Sequence, residues 1–211
     1  MRDSRRLVAA TVLVSAMGLT AAVIASHNVS VGSLGLLQRE PQGQDSHASK
    51  GRGPEPKGPV PRFGVVSTGK ITRSGLPKDD TGWDWLRERG TKTIVNFRER
   101  NAVDYQKHGF KSCLWIPLHE GRTPTDQEVK KYLGWIQDPA NQPVNVQCAA
   151  GKDRTGMMIA LARYAIEGWP MEEAINEASL YRKGAPLAEF RLEWLRQWAS
   201  KHPPGSHRVK Q

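Results

Sequence analysis

The chain has 211 residues, with 31 Lys and Arg against 21 Asp and Glu and a formal net charge of +10. Residues 1–62 and 201–211 carry most of this excess, and the seven tryptophans and four phenylalanines do not alternate with basic residues. Because a nucleic-acid-binding surface concentrates positive charge on the folded domain, this composition argues against a nucleic-acid partner and favours solvated basic ends. The length is sufficient for one domain of ordinary size.

Residues 1–26 have the pattern of an export segment. MRDSRR is positively charged, and the run from Leu7 to Ser26 carries no charge. Val23-Ile24-Ala25 offers the small-residue pattern that a signal peptidase accepts, which predicts a cleaved signal peptide. The uncharged run is also long enough to span a bilayer, so an uncleaved membrane anchor stays open as the alternative. Both interpretations predict an exported, periplasmic or otherwise extracytoplasmic protein, and the second adds membrane association through the N-terminus.

Residues 27–62 are rich in Gly, Pro, Ser and charged residues and end in GRGPEPKGPVPR. A segment of this composition buries too little apolar surface to order itself, so we predict a disordered tether. We expect the folded domain to span residues 63–200. Residues 201–211 are predicted to form a basic, disordered tail.

From Phe63 onward, short apolar runs alternate with amphipathic segments. Strands are predicted at FGVVST, KITRSG, TKTIVNF, KSCLWIPL and Val144–Gln147. Helices are predicted at DTGWDWLRERG, Ala102–His108, Thr125–Gln137, Thr155–Ile166, from Pro170 to about Tyr181, and at Ala188–Trp198. The alternation predicts an α/β fold in which a central, mainly parallel sheet is flanked by helices in a three-layer sandwich.

The loop QCAAGKDRTG, Gln147 to Gly156, joins the last predicted strand to an apolar helix. Backbone N–H groups and the helix N-terminus at such a position bind an anion, and Arg154 presents a planar fork for two phosphate oxygens. The same field lowers the pKa of a thiol, which makes Cys148 a candidate thiolate nucleophile. The predicted substrate-binding residues of the loop are Ala149, Ala150, Gly151, Lys152, Thr155 and Gly156.

CAAGKDRTG, a Cys followed by five residues, Arg and Thr, resembles the signature of the cysteine-based protein tyrosine phosphatase superfamily. Gly69-Lys-Ile-Thr-Arg-Ser-Gly-Leu-Pro and Ile94-Val-Asn-Phe-Arg are similar to the early strands of bacterial and plant-fungal atypical dual-specificity phosphatases. The resemblance covers residues 63–200 and implies a phosphatase domain that works in two steps. Cys148 would attack phosphorus, and water would then hydrolyse the phosphocysteine.

The resemblance also bears on the substrate. Lys152 resembles a lysine that meets extra phosphates in phosphoinositide phosphatases. The implied partners are therefore a phosphorylated protein, an inositol phosphate or a phosphoinositide.

Two positions depart from the family pattern. Members usually carry His before the nucleophile, where it helps to tune the thiolate, and this chain has Gln147. The general acid is typically an Asp on an upstream loop, and PLHEGRTPTD offers Glu120 there. Asp153 is the other candidate, because in myotubularins an Asp at this position is taken to be the acid; the alternative is that it braces Arg154 through a salt bridge. A weak pseudophosphatase or adaptor that binds phosphate therefore stays open beside the enzyme.

The remaining candidates are weighed by their position. Arg98 follows a strand at the carboxyl edge of the predicted sheet, which favours the pocket mouth, with an ion pair to Glu99 as the alternative. Arg182 either extends a basic rim or complements the end of a helix. Cys113 is predicted to be an inert core thiol, with a disulfide to Cys148 still open. The six histidines are scattered, so we expect no metal and no cofactor.

Overall fold

The computed structural model describes residues 51–55 and 58–209. The predicted signal peptide or anchor at residues 1–26 lies outside the described residues, as do residues 27–50 of the predicted tether. Within the described ranges, every helix is too short or too polar to cross a membrane.

Five short strands form one sheet, in the order β1-β2-β5-β3-β4. Only the edge strand β1 is antiparallel to its neighbour, and the other pairings are parallel. The strands are β1 (Gly64–Ser67), β2 (Ile71–Ser74), β3 (Thr93–Asn96), β4 (Ser112–Trp115) and β5 (Val144–Gln147). The central position of β5, which is buried along its whole length, places the residue after it, Cys148, at the middle of the carboxyl edge of the sheet.

Five α-helices accompany the sheet: α1 (Asp80–Glu88), α2 (Asp126–Gln137), α3 (Asp153–Ala162), α4 (Met171–Leu180) and α5 (Glu189–Lys201). A π-helical segment, Arg163–Glu167, continues α3 and ends at Gly168 in a left-handed conformation. Residues 154–162 of α3 are all buried, in agreement with the apolar character of this sequence.

The sheet separates two apolar cores, which confirms the predicted three-layer architecture. Val95 and Val146 face the larger core, which also contains residues from α2, α3, α4 and α5. Ile94 faces the smaller core with Trp83 and Leu86 of α1. Because successive side chains of a strand point to opposite faces, the neighbours Ile94 and Val95 contribute to different cores.

The helix predicted at Ala102–His108 is wrong, because residues 101–104 have no regular structure and residues 105–109 form turns. The Asp104 carboxylate accepts a hydrogen bond from the amide of Lys107 at 3.1 Å, which competes with helical pairing. Gly109, at φ 83°, then directs the chain towards β4.

Some residues of the predicted tether and of the predicted tail form hydrogen bonds with the domain. In the predicted tether, the amide of Glu55 donates to Phe63 O and the carbonyl of Pro61 accepts from Gly75 N. In the predicted tail, the amides of Gly205 and His207 donate to carbonyls of the π-helical segment at 2.8 and 2.9 Å. The last carbonyls of a helix lack hydrogen-bond partners within the helix, and residues 202–209 supply these partners here.

Candidate active site

The candidate site is built on the segment from Cys148 to Arg154, which we call the cysteine loop. It begins directly after β5 and ends in the first turn of α3. Three successive carbonyls accept hydrogen bonds from outside the loop: Ala149 from Leu76 N at 3.1 Å, Ala150 from Arg62 Nη1 at 3.0 Å and Gly151 from Arg73 Nη2 at 3.0 Å. Carbonyls that point outward leave the loop N–H groups to line a concave anion site on the other side.

Gly151 determines the conformation of this loop. Its φ of 69° is left-handed, and a Cβ at this position would lie 2.6 Å from the carbonyl carbon of Ser74. Glycine is therefore required both by the dihedral angle and by the close approach of β2. The same residue donates its amide to Cys148 Sγ at 3.3 Å.

Cys148 is buried, with 2% of its surface exposed. Burial raises the pKa of its thiol, but the hydroxyl and amide of Thr155, the charge of Arg154 and the amide of Gly151 together lower the pKa below its ordinary value. The Thr155 hydroxyl is itself buried and has no conventional oxygen or nitrogen partner among the described residues. The arrangement therefore favours the thiolate form of Cys148 more than an ordinary cysteine environment does.

Gln147 occupies the position where the family usually has His. It is buried, and its Nε2 donates to the hydroxyl of Tyr105 at 3.1 Å. Burial raises the pKa of Tyr105, so the phenol is neutral at physiological pH. Since Gln147 and Tyr105 carry no charge, the lowered pKa of Cys148 has its origin in other groups.

Arg154 contacts the loop that carries Glu120. Its Nη1 donates to Leu118 O at 3.2 Å, and its Nη2 lies 3.5 Å from Glu120 Oε1. The carboxylate of Glu120 is otherwise solvent-accessible, with 78% of its side chain exposed. Arg191 Nη2 holds the same loop from α5 through the backbone carbonyl of Glu120, at 2.5 Å.

An internal ion pair braces the Glu120 loop, residues 117–125. Arg122 bonds both carboxylate oxygens of Glu128 at 2.8 and 2.7 Å, and it also donates to Pro117 O. Thr125 and Glu128 form a reciprocal capping box at the start of α2. The hydrogen bond from Arg122 is the main reason that the pKa of Glu128 falls to about 2.

Asp153 pairs with Arg182, not with Arg154. Arg182 reaches the cysteine loop from the end of α4 and also donates to the carbonyls of Ala185 and Pro186. Among the described residues there is no ion pair between Asp153 and Arg154. The bracing alternative for Asp153 therefore needs a different partner from the one that the sequence suggested.

Arg98 and Lys152 are the other predicted site residues. Arg98 donates its backbone amide to Asn96 and accepts from Trp115 Nε1, its Nη1 is buried without a partner among the described residues, and its charge acts on Tyr105. Its alternative partner, Glu99, lies 4.0 Å from His119. Lys152 is half-buried at the position before α3.

The two cysteines cannot form a disulfide in this fold. Cys113 on β4 is paired with Ile94 on β3, which is paired with Asn145 on β5. Two strand spacings amount to about 10 Å, and Cys148 lies further along β5, whereas a disulfide needs Cα atoms within about 7 Å. Both thiols are free, and burial raises the pKa of Cys113 to about 12. The open question of a disulfide is therefore settled against it.

Two arginines at the site were missed by the sequence analysis. Arg73 on β2 is fully buried behind the cysteine loop, and Arg191 on α5 is nearly so. Burial lowers the pKa of Arg191, and repulsion from Arg154 lowers it further. The available signal was a charged residue at the centre of the strand KITRSG, since a buried strand rarely holds an arginine without a specific partner.

Residues 67–197 match the family described as DSP-PTPase phosphatase fused to NAD+ kinase. Over 137 residues the chain is 28% identical to the dual specificity protein phosphatase TpbA of Pseudomonas aeruginosa, covering 58% of this chain and 62% of TpbA. Over 159 residues it is 26% identical to the inositol diphosphatase DSP4 of Arabidopsis thaliana, covering 68% of this chain and 74% of DSP4. The chain thus spans about three fifths of the length of the first of these relatives.

Solved structures agree in fold. The core catalytic domain of the PP-IP phosphatase SIW14 from S. cerevisiae, in complex with citrate, has a TM-score of 0.58 at 21% identity, covering 68% of this chain and 93% of the other. The crystal structure of P. aeruginosa TpbA has a TM-score of 0.52 at 24% identity, covering 72% and 98%. At these identities the likeness establishes the fold, while the match over residues 67–197 includes the whole cysteine loop. The chain therefore belongs to this DSP-PTPase phosphatase family.

Proposed function

We propose that this protein is a cysteine-dependent phosphatase that hydrolyses phosphomonoesters through a phosphocysteine intermediate. One observation carries the proposal: a buried thiol with a lowered pKa lies in an inward-facing loop of N–H groups, beside a buried arginine. Such a loop binds the equatorial oxygens of a phosphate and holds phosphorus next to the sulfur. Attack by Cys148 forms the S–P bond and breaks the P–O bond to the leaving group.

Arg154 binds groups of the protein before the substrate arrives and is expected to bind the phosphate during the attack. Without substrate its guanidinium binds Leu118 O and faces Glu120. A bound phosphate offers two negatively charged oxygens in place of one neutral carbonyl, so the planar fork of Arg154 is expected to engage the phosphate. Glu120 then lies beside the bound phosphate ester.

We assign the general acid to Glu120 on this basis. The carboxylate of Glu120 is open to solvent and lies next to the arginine that binds phosphate. Asp153 is instead held by Arg182 in an ion pair, so its carboxylate is already engaged. In the second step the deprotonated Glu120 would act as the base for the water that hydrolyses the phosphocysteine.

Two substrate classes are consistent with the proposed function. Relatives are named as a dual specificity protein phosphatase and an inositol diphosphatase, so a phosphorylated protein and an inositol phosphate or phosphoinositide both stay open. Arg182 and Arg191 add positive charge near the cysteine loop, which favours highly anionic esters of either kind. A parallel assay of phosphopeptides, phosphoinositides and inositol polyphosphates would separate them.

Turnover of p-nitrophenyl phosphate tests the enzyme against the phosphate-binding adaptor. We expect Cys148→Ser to abolish turnover and Arg154→Lys to remove most of it, because a point ammonium cannot replace the planar fork. Cys113→Ser is the matched control and should retain wild-type activity, since Cys113 lies two strands away. A folded wild-type protein that binds phosphate without turnover would support the adaptor instead.

The acid assignment is tested by the choice of leaving group. A p-nitrophenolate departs with little help, whereas an alkoxide needs a proton in the transition state. Glu120→Gln should therefore slow alkyl phosphates far more than p-nitrophenyl phosphate, while Asp153→Asn should slow both alike. The reverse pattern would place the acid at Asp153.

We also propose export through residues 1–26, supported by the sequence alone. The positive start and the uncharged run place the domain outside the cytoplasmic membrane, by a cleaved signal or an uncleaved anchor. Protease accessibility in spheroplasts, with determination of the mature N-terminus, distinguishes the two. Protection of an intact chain would contradict export.

A further inference from the structure

Arg73 is the most unusual charged side chain near the site. It extends from β2 behind the cysteine loop and has no solvent-exposed surface. Its Nη2 donates to Gly151 O at 3.0 Å, and its Nε and Nη1 are buried without a hydrogen-bond partner among the described residues. Its Cζ lies 3.6 Å from the centre of the Tyr181 ring. A charge so poorly solvated needs a compensating negative charge.

The conventional counter-ion is shared with a second arginine. Among the described residues, Glu177 of α4 is the carboxylate whose charge acts most strongly on Arg73. Both of its oxygens bond Arg163, at 3.0 and 2.8 Å. Arg163 also binds Glu167 at 2.6 Å.

The neighbouring phenols do not supply the charge. Burial raises the pKa of Tyr181 to about 12 and also raises the pKa of Tyr132 on α2. Both side chains are therefore neutral at physiological pH. Of the groups that act on Arg73, Glu177 and Cys148 are the two with an anionic form that can balance it.

The hydrogen-bond geometry connects the two residues through Gly151. Arg73 binds the carbonyl of Gly151, and the amide of Gly151 binds Cys148 Sγ at 3.3 Å. Holding the Gly151 carbonyl restrains the left-handed residue that carries this amide, and Arg62 holds the preceding carbonyl, Ala150 O. Arg154 and the Thr155 hydroxyl act on the sulfur itself, whereas Arg73 acts through the Gly151 carbonyl.

We propose that Arg73 is a positioning residue that keeps Cys148 ionised, both as a buried, permanent counter-charge and by holding the Gly151 amide against the sulfur. It takes over part of the tuning that a histidine before the nucleophile provides in other members of the family, since Gln147 here is neutral. The inference rests on the proposed function in that the thiolate is the nucleophile. The state of the thiol can nevertheless be measured without any turnover.

The test is the pH dependence of Cys148 alkylation by iodoacetamide, a neutral reagent, in Cys113→Ser protein so that a single thiol reports. We expect Arg73→Met to raise the apparent pKa of Cys148 by about one unit, which slows alkylation about tenfold at a pH below both pKa values. Arg196→Met is the control. Arg196 pairs with the exposed Glu172 at the protein surface, so its loss should leave the alkylation profile unchanged.

Arg73→Lys is a second variant that tests the same proposal if Arg73→Met does not fold. Lysine keeps most of the volume, but a buried ammonium gives up its proton readily and so loses the counter-charge. We therefore expect a raised Cys148 pKa here too, with a melting temperature that shows the fold to be intact. A wild-type alkylation profile in either folded Arg73 variant overturns the proposal. Absence of phosphatase turnover in a wild type with a low thiol pKa would instead contradict the proposed function and leave this assignment standing.

Discussion

Glu128→Gln tests whether the brace of the Glu120 loop stabilises the fold. The substitution removes one charge while glutamine can still complete the capping box with Thr125. Lowering a carboxyl pKa from 4.5 to about 2 corresponds to about 3 kcal/mol as an upper limit. Because the carboxylate of Glu128 stays partly exposed, solvent screening reduces the expected loss of unfolding free energy to about 1–2 kcal/mol.

Urea unfolding as a function of pH measures this contribution. The folded pKa of Glu128 lies below the unfolded value, so its stabilisation is complete above the unfolded pKa and is lost as the pH falls towards about 2. The difference between wild type and Glu128→Gln should therefore be largest near neutral pH and fall to about half or less near pH 3. Glu172→Gln, which breaks the exposed pair with Arg196, is the control and should cost much less. A difference that does not change with pH would refute the ionic origin of the brace.

Three further changes have defined outcomes. Gly151→Ala should remove most activity and lower the melting temperature, because φ is 69° and the new Cβ would lie 2.6 Å from the backbone of Ser74. Tyr105→Phe should lower the unfolding free energy by about 1–3 kcal/mol in urea, because buried Gln147 loses its hydrogen-bond partner. Deleting residues 203–211 should also destabilise the domain in urea, since the carbonyls of the π-helical segment lose four hydrogen bonds, two from backbone amides and two from Arg208; unchanged stability would support the predicted disordered tail.

Local patterns were sufficient for most of the architecture. The strand Val144–Gln147 and the buried helix after it were predicted from their apolar residues. The spacing at which apolar residues recur distinguishes a strand from a helix without knowledge of the rest of the chain. The segment 102–108 was wrongly predicted as a helix, because a side-chain bond from Asp104 competes with helical pairing. Composition alone does not predict that Gly205 and His207 bind helix carbonyls more than 30 residues earlier in the chain.

The candidate site likewise has one part that the sequence predicts and one part that it does not. Cys148, Arg154 and the loop between them are contiguous, so the spacing of a single motif predicts their geometry. The contacts of Glu120 with Arg154, of Asp153 with Arg182 and of Arg73 with Gly151 join elements far apart in sequence. Their partners depend on strand order and helix packing, which the periodicity of one segment does not specify.

Ionisation of Cys148 should appear in stability as well as in reactivity. Burial alone would raise the pKa of the thiol, and the charge and donors around it more than reverse this effect. Because the folded pKa lies below the unfolded value, the thiolate stabilises the native state fully above about pH 8.5 and progressively less as the pH falls through the folded pKa. Cys148→Ser cannot ionise in this range, so the unfolding free energy of the wild type relative to this variant should rise with pH. Urea titrations of both proteins from pH 5 to pH 9 give the slope, and a slope of the opposite sign would mean that burial dominates and that the nucleophile is a neutral thiol.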